Sequence, residues 1–439
     1  MTAFLATTPV PRDLPLPLPL PEWVLISFLV IFFLVHILFV NLMVGGSVLV
    51  TFFECLGRKS PRWDSLAHSI AQTVTVNKSL AVVMGIGPLL CINLVYTMQW
   101  YSANALTGHA WLMIVPLVTV AFLLTYLHKY KWESWSQGGW KTLHLWVGLS
   151  ATLLLLFVPL IFLANVNLML FPGEWEKVRG FFSSLRIGNV LPRYLHFLAA
   201  SIAMTGLFLA GWLGRAGHDI GHTPGFSRPD LRRLFYKVTA WVTLAQFVLG
   251  PLLLFTLPAV GITTRLYVII FSGAALGFLT LLVLFKELRS GDEHIGRFYV
   301  LICIMFSFVV LGMGTGRHVY RQAALAPHQA DIQERTSRYA AALAEFNQNL
   351  SSTPPVQQTA DQLFMNCAAC HAPNIKLVGP PLTEIAEIYA GNPDGIVAWA
   401  KTPGKKRPEL PQMPPFAHLG DESLRMIAEL MLEKGKAAK

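Results

Sequence analysis

The run Trp23-Val24-Leu25-Ile26-Ser27-Phe28-Leu29-Val30-Ile31-Phe32-Phe33-Leu34-Val35-His36-Ile37-Leu38-Phe39-Val40-Asn41-Leu42-Met43-Val44-Gly45-Gly46 decides the fold class. It continues to Glu54 without another acidic or basic side chain except His36. About 20 apolar residues suffice to cross a bilayer as a helix. Further apolar stretches lie near 77–100, 110–129, 143–170, 193–214, 235–257, 264–286 and 297–318. Together they predict an all-α polytopic bundle of about eight spans. Composition agrees, because 54% of the residues are hydrophobic and only 13% are charged. A soluble chain of this length carries about twice that charged fraction. The net charge of +10 is a matter of membrane topology and implies no nucleic-acid partner.

Residues 1–22 form a proline-rich lead-in, with no basic region of the kind that opens a cleavable signal peptide. Lysine and arginine crowd alternate loops. One set holds Arg58, Lys59 and Arg62, then Lys129, Lys131 and Lys141. It goes on with Arg215, Arg228, Arg232, Arg233 and Lys237, and ends with Lys286, Arg289 and Arg297. Basic loops stay inside. With an even span count, both termini are expected on the outer, periplasmic side of a bacterial inner membrane. Of the five cysteines, Cys55, Cys91 and Cys303 lie in or beside apolar segments and read as packing residues.

Beyond Arg321 the hydropathy falls. Residues 321–354 read as a helical linker, with Ile332, Tyr339, Leu343 and Phe346 on a partial apolar stripe. Ser351-Ser352-Thr353-Pro354-Pro355 marks a break before a soluble domain at 355–439. That domain opens on Cys367-Ala368-Ala369-Cys370-His371. C-x-x-C-H is the attachment signature of a c-type haem, with two thioether bonds and the histidine as proximal iron ligand. With no second cysteine pair, a zinc site is incomplete. Covalent haem of this type is attached on the periplasmic side, in agreement with the charge bias. Gly379-Pro380-Pro381-Leu382 follows, then Gln412-Met413-Pro414-Pro415-Phe416. Met413 is the expected distal ligand, with Met365 and Met431 as competitors. Residues 421–434 read as a closing amphipathic helix carrying Leu424, Ile427, Leu430 and Met431. These features resemble a small class I cytochrome c.

Ionisable side chains inside a membrane are costly and are functional candidates. His36 lies within the first span and His196 near the outer start of the fifth. Both are expected to ligate haem b iron, which needs no covalent motif. His109 and His318, at outer ends of the third and eighth spans, are candidate second ligands. His128 and His144, at inner ends, read as wet interfacial residues.

The stretch from His36 to Gly46, continuing to Glu54, resembles the first helix of the large subunit of cytochrome bd quinol oxidases. Lys78, Leu163-Ala164-Asn165-Val166-Asn167, Arg193-Tyr194-Leu195-His196 and Gly316-Arg317 resemble further landmarks of that family over roughly 23–322. The resemblance implies that His196 ligates a low-spin haem b. The departures are as informative. Gly314 stands where the family has a haem-ligating glutamate, and Tyr267 where it has a methionine ligand. The third span has no acidic residue, and the quinol-binding loop shrinks to about 257–264. The cytochrome c tail replaces a ninth helix.

The expected function is therefore a membrane-bound b/c-type cytochrome with one haem c and one or two b haems. It would move electrons between a quinone pool, or partner respiratory subunits, and a periplasmic cytochrome or other carrier. A divergent bd-type terminal oxidase subunit and a non-catalytic anchor for haem c are the alternatives.

Overall fold

The computed structural model describes residues 18–75, 78–136, 139–352, 359–408 and 411–438. Residues 1–17 of the lead-in, and residues 353–355 of the expected break, lie outside them. The chain divides into two compact units, 1–339 and 340–439. No strand occurs among the described residues.

The first unit contains α1 (Glu22–Gly57), α2 (Pro61–Thr75), α3 (Lys78–Val95), α4 (Thr97–Thr107), α5 (His109–Leu112) and α6 (Ile114–Tyr130). It continues with α7 (Trp132–Ser136), α8 (Lys141–Met169), α9 (Phe181–Ser184), α10 (Val190–Gly214), α11 (Arg228–Phe255) and α12 (Thr264–Leu288). The long α13 (Tyr299–Ser352) begins in it. Among the described residues, seven helices are long and apolar enough to cross a membrane, or eight if α3 and α4 are one span. These two are bent by 112°. The helix breaks at Tyr96 (φ −125°, ψ 40°), where the sequence had pointed to one run through Trp100. The fall in hydropathy after Arg321 is no helix end either, because α13 runs through it with Pro327 inside.

Outward faces carry Phe52, Val115, Leu123, Val248, Phe255 and Phe271, all exposed. Such a belt suits lipid tails. Lipid is as apolar as these side chains, so helix association rests on close packing and polar contacts instead. Helix α1 packs against α2, α3, α8 and α10. Gly45 permits the approach of α10, since a Cβ there would lie 2.3 Å from the Ser201 carbonyl oxygen. The Ser201 hydroxyl donates to Asn41 Oδ1 at 2.9 Å, and the Thr205 hydroxyl to the Asn41 carbonyl at 3.0 Å. Interhelical bonds of this kind contribute about 0.6 kcal/mol each on average. At one end of the bundle, Phe53, Leu66, Ile70, Phe235 and Tyr236 form a fully buried core.

The second unit contains α14 (Ala360–Ala368), α15 (Leu382–Ile388), α16 (Pro393–Lys401) and α17 (Asp421–Ala437). A capping box at Thr359 and Gln362 starts α14, satisfying two otherwise orphaned backbone groups. Helix α17 packs on all three others. Its Leu424, Ile427 and Met431 are buried, as its amphipathic pattern requires, while Leu430 is partly buried. Leu363, Phe364, Leu382, Ile385 and Ile396 complete this core.

Candidate haem-binding sites

In the second unit the chemistry gathers at the end of α14. Cys367 is buried in its last turn, and Cys370 is partly buried just beyond it. Neither is in a disulfide. The Cys370 and His371 amides both donate to the Cys367 carbonyl at 3.0 Å, so one tight turn presents two thiols and an imidazole. The His371 Nδ1–H donates to the Pro380 carbonyl at 2.8 Å. A carbonyl only accepts, so Nδ1 carries the proton and Nε2 keeps its lone pair. That is the state an iron ligand needs, and the bond also fixes the ring plane. Gly379 allows this geometry. A Cβ there would lie 2.4 Å from His371 Cε1.

Between His371 and Gly379, Ile375, Leu377 and Val378 stand exposed. A porphyrin face would cover such side chains, so the residues fit a haem. The three methionines differ in place. Met365 is 71% exposed, Met431 belongs to the core, and Met413 is partly buried in the loop after α16. That loop is tied back by the Phe416 amide to the Ala400 carbonyl at 2.8 Å. It is also held by an ion pair between Arg407 and Glu384. The Arg407 hydrogen bond holds the Glu384 carboxyl below its usual range.

In the first unit, His36 Nδ1 lies 2.8 Å from the Ala81 carbonyl on α3, which again leaves Nε2 with a lone pair. His196 and His318 are partly buried, and their Nδ1 atoms are buried without a hydrogen-bond partner. Such orphans are rare in folded proteins. His109 is exposed at the start of α5 and is not one of these buried imidazoles. Arg193 lies one turn before His196, and Arg317 adjoins His318. Arg321 lies one turn further along α13. No ion pair among the described residues involves any of the three. Arg317 stacks over Phe33 and Arg321 over Tyr96. Nearby, a cavity of about 690 Å³ is lined by residues that include Phe171, Gly188, Pro258 and Ala324.

Two departures from the oxidase pattern now have a physical setting. Gly314 is buried, and a Cβ there would lie 2.9 Å from Leu34 Cδ2, so the space for a larger side chain is filled from α1. Tyr267 is exposed and stacks on Phe271.

His128 and His144 correct the sequence reading. They are 3% and 0% exposed and meet Glu54, itself fully buried. His128 Nε2 lies 2.7 Å from Glu54 Oε2, and His144 Nδ1 lies 2.5 Å from Glu54 Oε1. Trp132, the first residue of α7, covers both rings edge-on and excludes water. The available signal was a lone acid closing a long apolar run, with two histidines among tryptophans.

Residues 358–433 match the family model described as cytochrome c. No curated protein matches the chain significantly. Among solved structures, bd oxidase from Geobacillus thermodenitrificans is similar in fold, with a TM-score of 0.55 and 11% identity. The likeness covers 76% of this chain and 99% of that one. The chain thus joins a multi-pass membrane bundle with a bd-oxidase-like fold to a C-terminal cytochrome c domain.

Proposed function

We propose that this protein carries electrons between b-type haem in the membrane bundle and haem c in the C-terminal domain. It would link a quinone pool or partner respiratory subunits to a periplasmic carrier. Bound haem supplies the one-electron iron couple. His371 would hold the iron through Nε2, because its Nδ1–H is engaged by the Pro380 carbonyl. Met413 is the distal ligand this reading selects. A thioether favours a higher potential than a second imidazole.

In the bundle, His196 is the proposed iron ligand, with His318 at the same end as its partner and His36 as a further candidate. Arg193, Arg317 and Arg321 would pair with the carboxylates of haem propionates, which an unpaired arginine cluster fits. The observation that carries this reading is the two orphaned imidazole nitrogens beside three arginines without carboxylate partners. The nearby cavity is within the size range of small-molecule sites and is the proposed quinone site.

Oxygen reduction is not part of the proposal. The glutamate position is Gly314, packed against Leu34, and α6 has no acidic side chain to carry protons. The bias of basic residues supports periplasmic termini and a bacterial inner-membrane location. The test is His196→Ala, which should abolish a b-type signal and leave covalent haem c. An unchanged b-type spectrum would overturn the assignment.

A further inference from the structure

The cluster of Glu54, His128 and His144 serves no step above. Its three side chains come from α1, α6 and α8, and all are buried. One ligand atom from each lies within 4.8 Å of the others. His144 Nε2 sits 2.8 Å from the His128 carbonyl, so Nε2 carries a proton. His144 Nδ1 lies 2.5 Å from Glu54 Oε1, close enough that a proton or another cation is held between the two atoms.

Lys141 does not supply it. Its Nζ lies 2.6 Å from Asp64 Oδ1 and 3.0 Å from Glu54 Oε1. Lys141 is thus divided between Asp64 and Glu54, and the fully buried Glu54 carboxylate takes its other contacts from His128 and His144. An uncompensated buried carboxylate is costly. The donor set decides which cation fits. Two imidazoles and one carboxylate make a common ligand set for zinc and related divalent ions. The carbonyl anchor on His144 is the outer contact that orients such ligands. A cavity of about 20 Å³ borders His128, Thr51, Gly148 and Thr152. Roughly 10–15 Å³ is enough for one water. Gly148 shapes this space, since a Cβ there would lie 2.6 Å from His128 Nε2.

We propose that Glu54, His128 and His144 bind one divalent transition-metal ion of the zinc class, with a water from the adjacent cavity as fourth ligand. Tetrahedral ligand bonds of about 2.0–2.2 Å set donor atoms about 3.4 Å apart, and the three donor atoms here lie within 4.8 Å of one another. Binding displaces both protons that Glu54 shares with the imidazoles: that of His144 passes to solvent, and that of His128 moves from Nε2 to Nδ1, leaving an Nε2 lone pair for the ion. Lys141 stays with Asp64. The ion then ties three helices together at one end of the bundle.

The test uses the purified full chain, stripped with a chelator, loaded with Zn²⁺ and desalted. Elemental analysis should find about one zinc per chain, falling at least about tenfold in Glu54→Gln and in His144→Ala. Zinc X-ray absorption of the wild type should show nitrogen and oxygen ligands at about 2.0–2.1 Å with imidazole scattering. Zinc uptake unaffected by both substitutions would overturn the proposal. So would a wild type that retains less than about a tenth of a zinc per chain, in which case the shared cation is a proton. If a variant fails to insert, judged by haem staining of membranes, the wild-type absorption spectrum decides alone. Absence of imidazole scattering there rejects the site.

Discussion

Gly379→Ala tests whether the His371 ring is held as the structure shows. The new Cβ would lie 2.4 Å from His371 Cε1, 2.9 Å from Nδ1 and 3.0 Å from Nε2. Carbon atoms in contact rest about 3.5–4.0 Å apart, so ring or loop must retreat by about 1 Å. The ring cannot retreat and keep its 2.8 Å bond to the Pro380 carbonyl. Overpacking costs about 1–3 kcal/mol, and the lost hydrogen bond about 1 kcal/mol more. In a domain of this size each kcal/mol lowers the midpoint by about 4–8 °C. The C-terminal domain should therefore melt at least about 5 °C lower, followed by haem c absorbance in the full chain. The haem stays covalently attached, because neither thiol moves. Gly404→Ala is the control, since its Cβ meets only Trp399 at an ordinary 3.4 Å. A Gly379→Ala midpoint and redox potential equal to those of the control would mean that Gly379 does not hold the His371 ring in place.

Cys367→Ala with Cys370→Ala should abolish covalent haem staining on a denaturing gel while the bundle still inserts; unchanged staining would remove the attachment site. Met413→His should keep a low-spin haem c and lower its potential, read by redox titration and by loss of the near-infrared methionine signal. The Glu384 carboxyl is held below its usual range by Arg407, so its contribution to stability is full above the unfolded carboxylate range. That contribution fades as pH falls through the folded value. Arg407→Gln should remove this acid-side slope, with a loss at neutral pH below about 1 kcal/mol because both groups are partly exposed, measured by denaturant melts at two pH values.

The spans were legible because lipid selects long uncharged runs, and α1, α8, α10, α11 and α12 follow them. The bend at Tyr96 was not, because hydropathy continues to Trp100 whatever the backbone does. The haem c site was legible because its two thiols and histidine sit within five residues. The role of Gly379 emerged only from its approach to His371. Glu54, His128 and His144 were hidden for a different reason. Their partners lie 74 and 90 residues apart, and no local pattern joins them. Trp132 also withdraws two histidines from water that their place at helix ends had suggested was near.

The proposed electron path needs haem iron in the membrane bundle as well as in the C-terminal domain. A pyridine-haemochrome spectrum of the purified full chain counts the two types separately. One covalent haem c together with one or two b-type haems per chain is expected, with loss of b-type absorbance in His196→Ala. Haem c alone in the wild type would contradict it, and would return His36, His196 and His318 to the role of structural histidines.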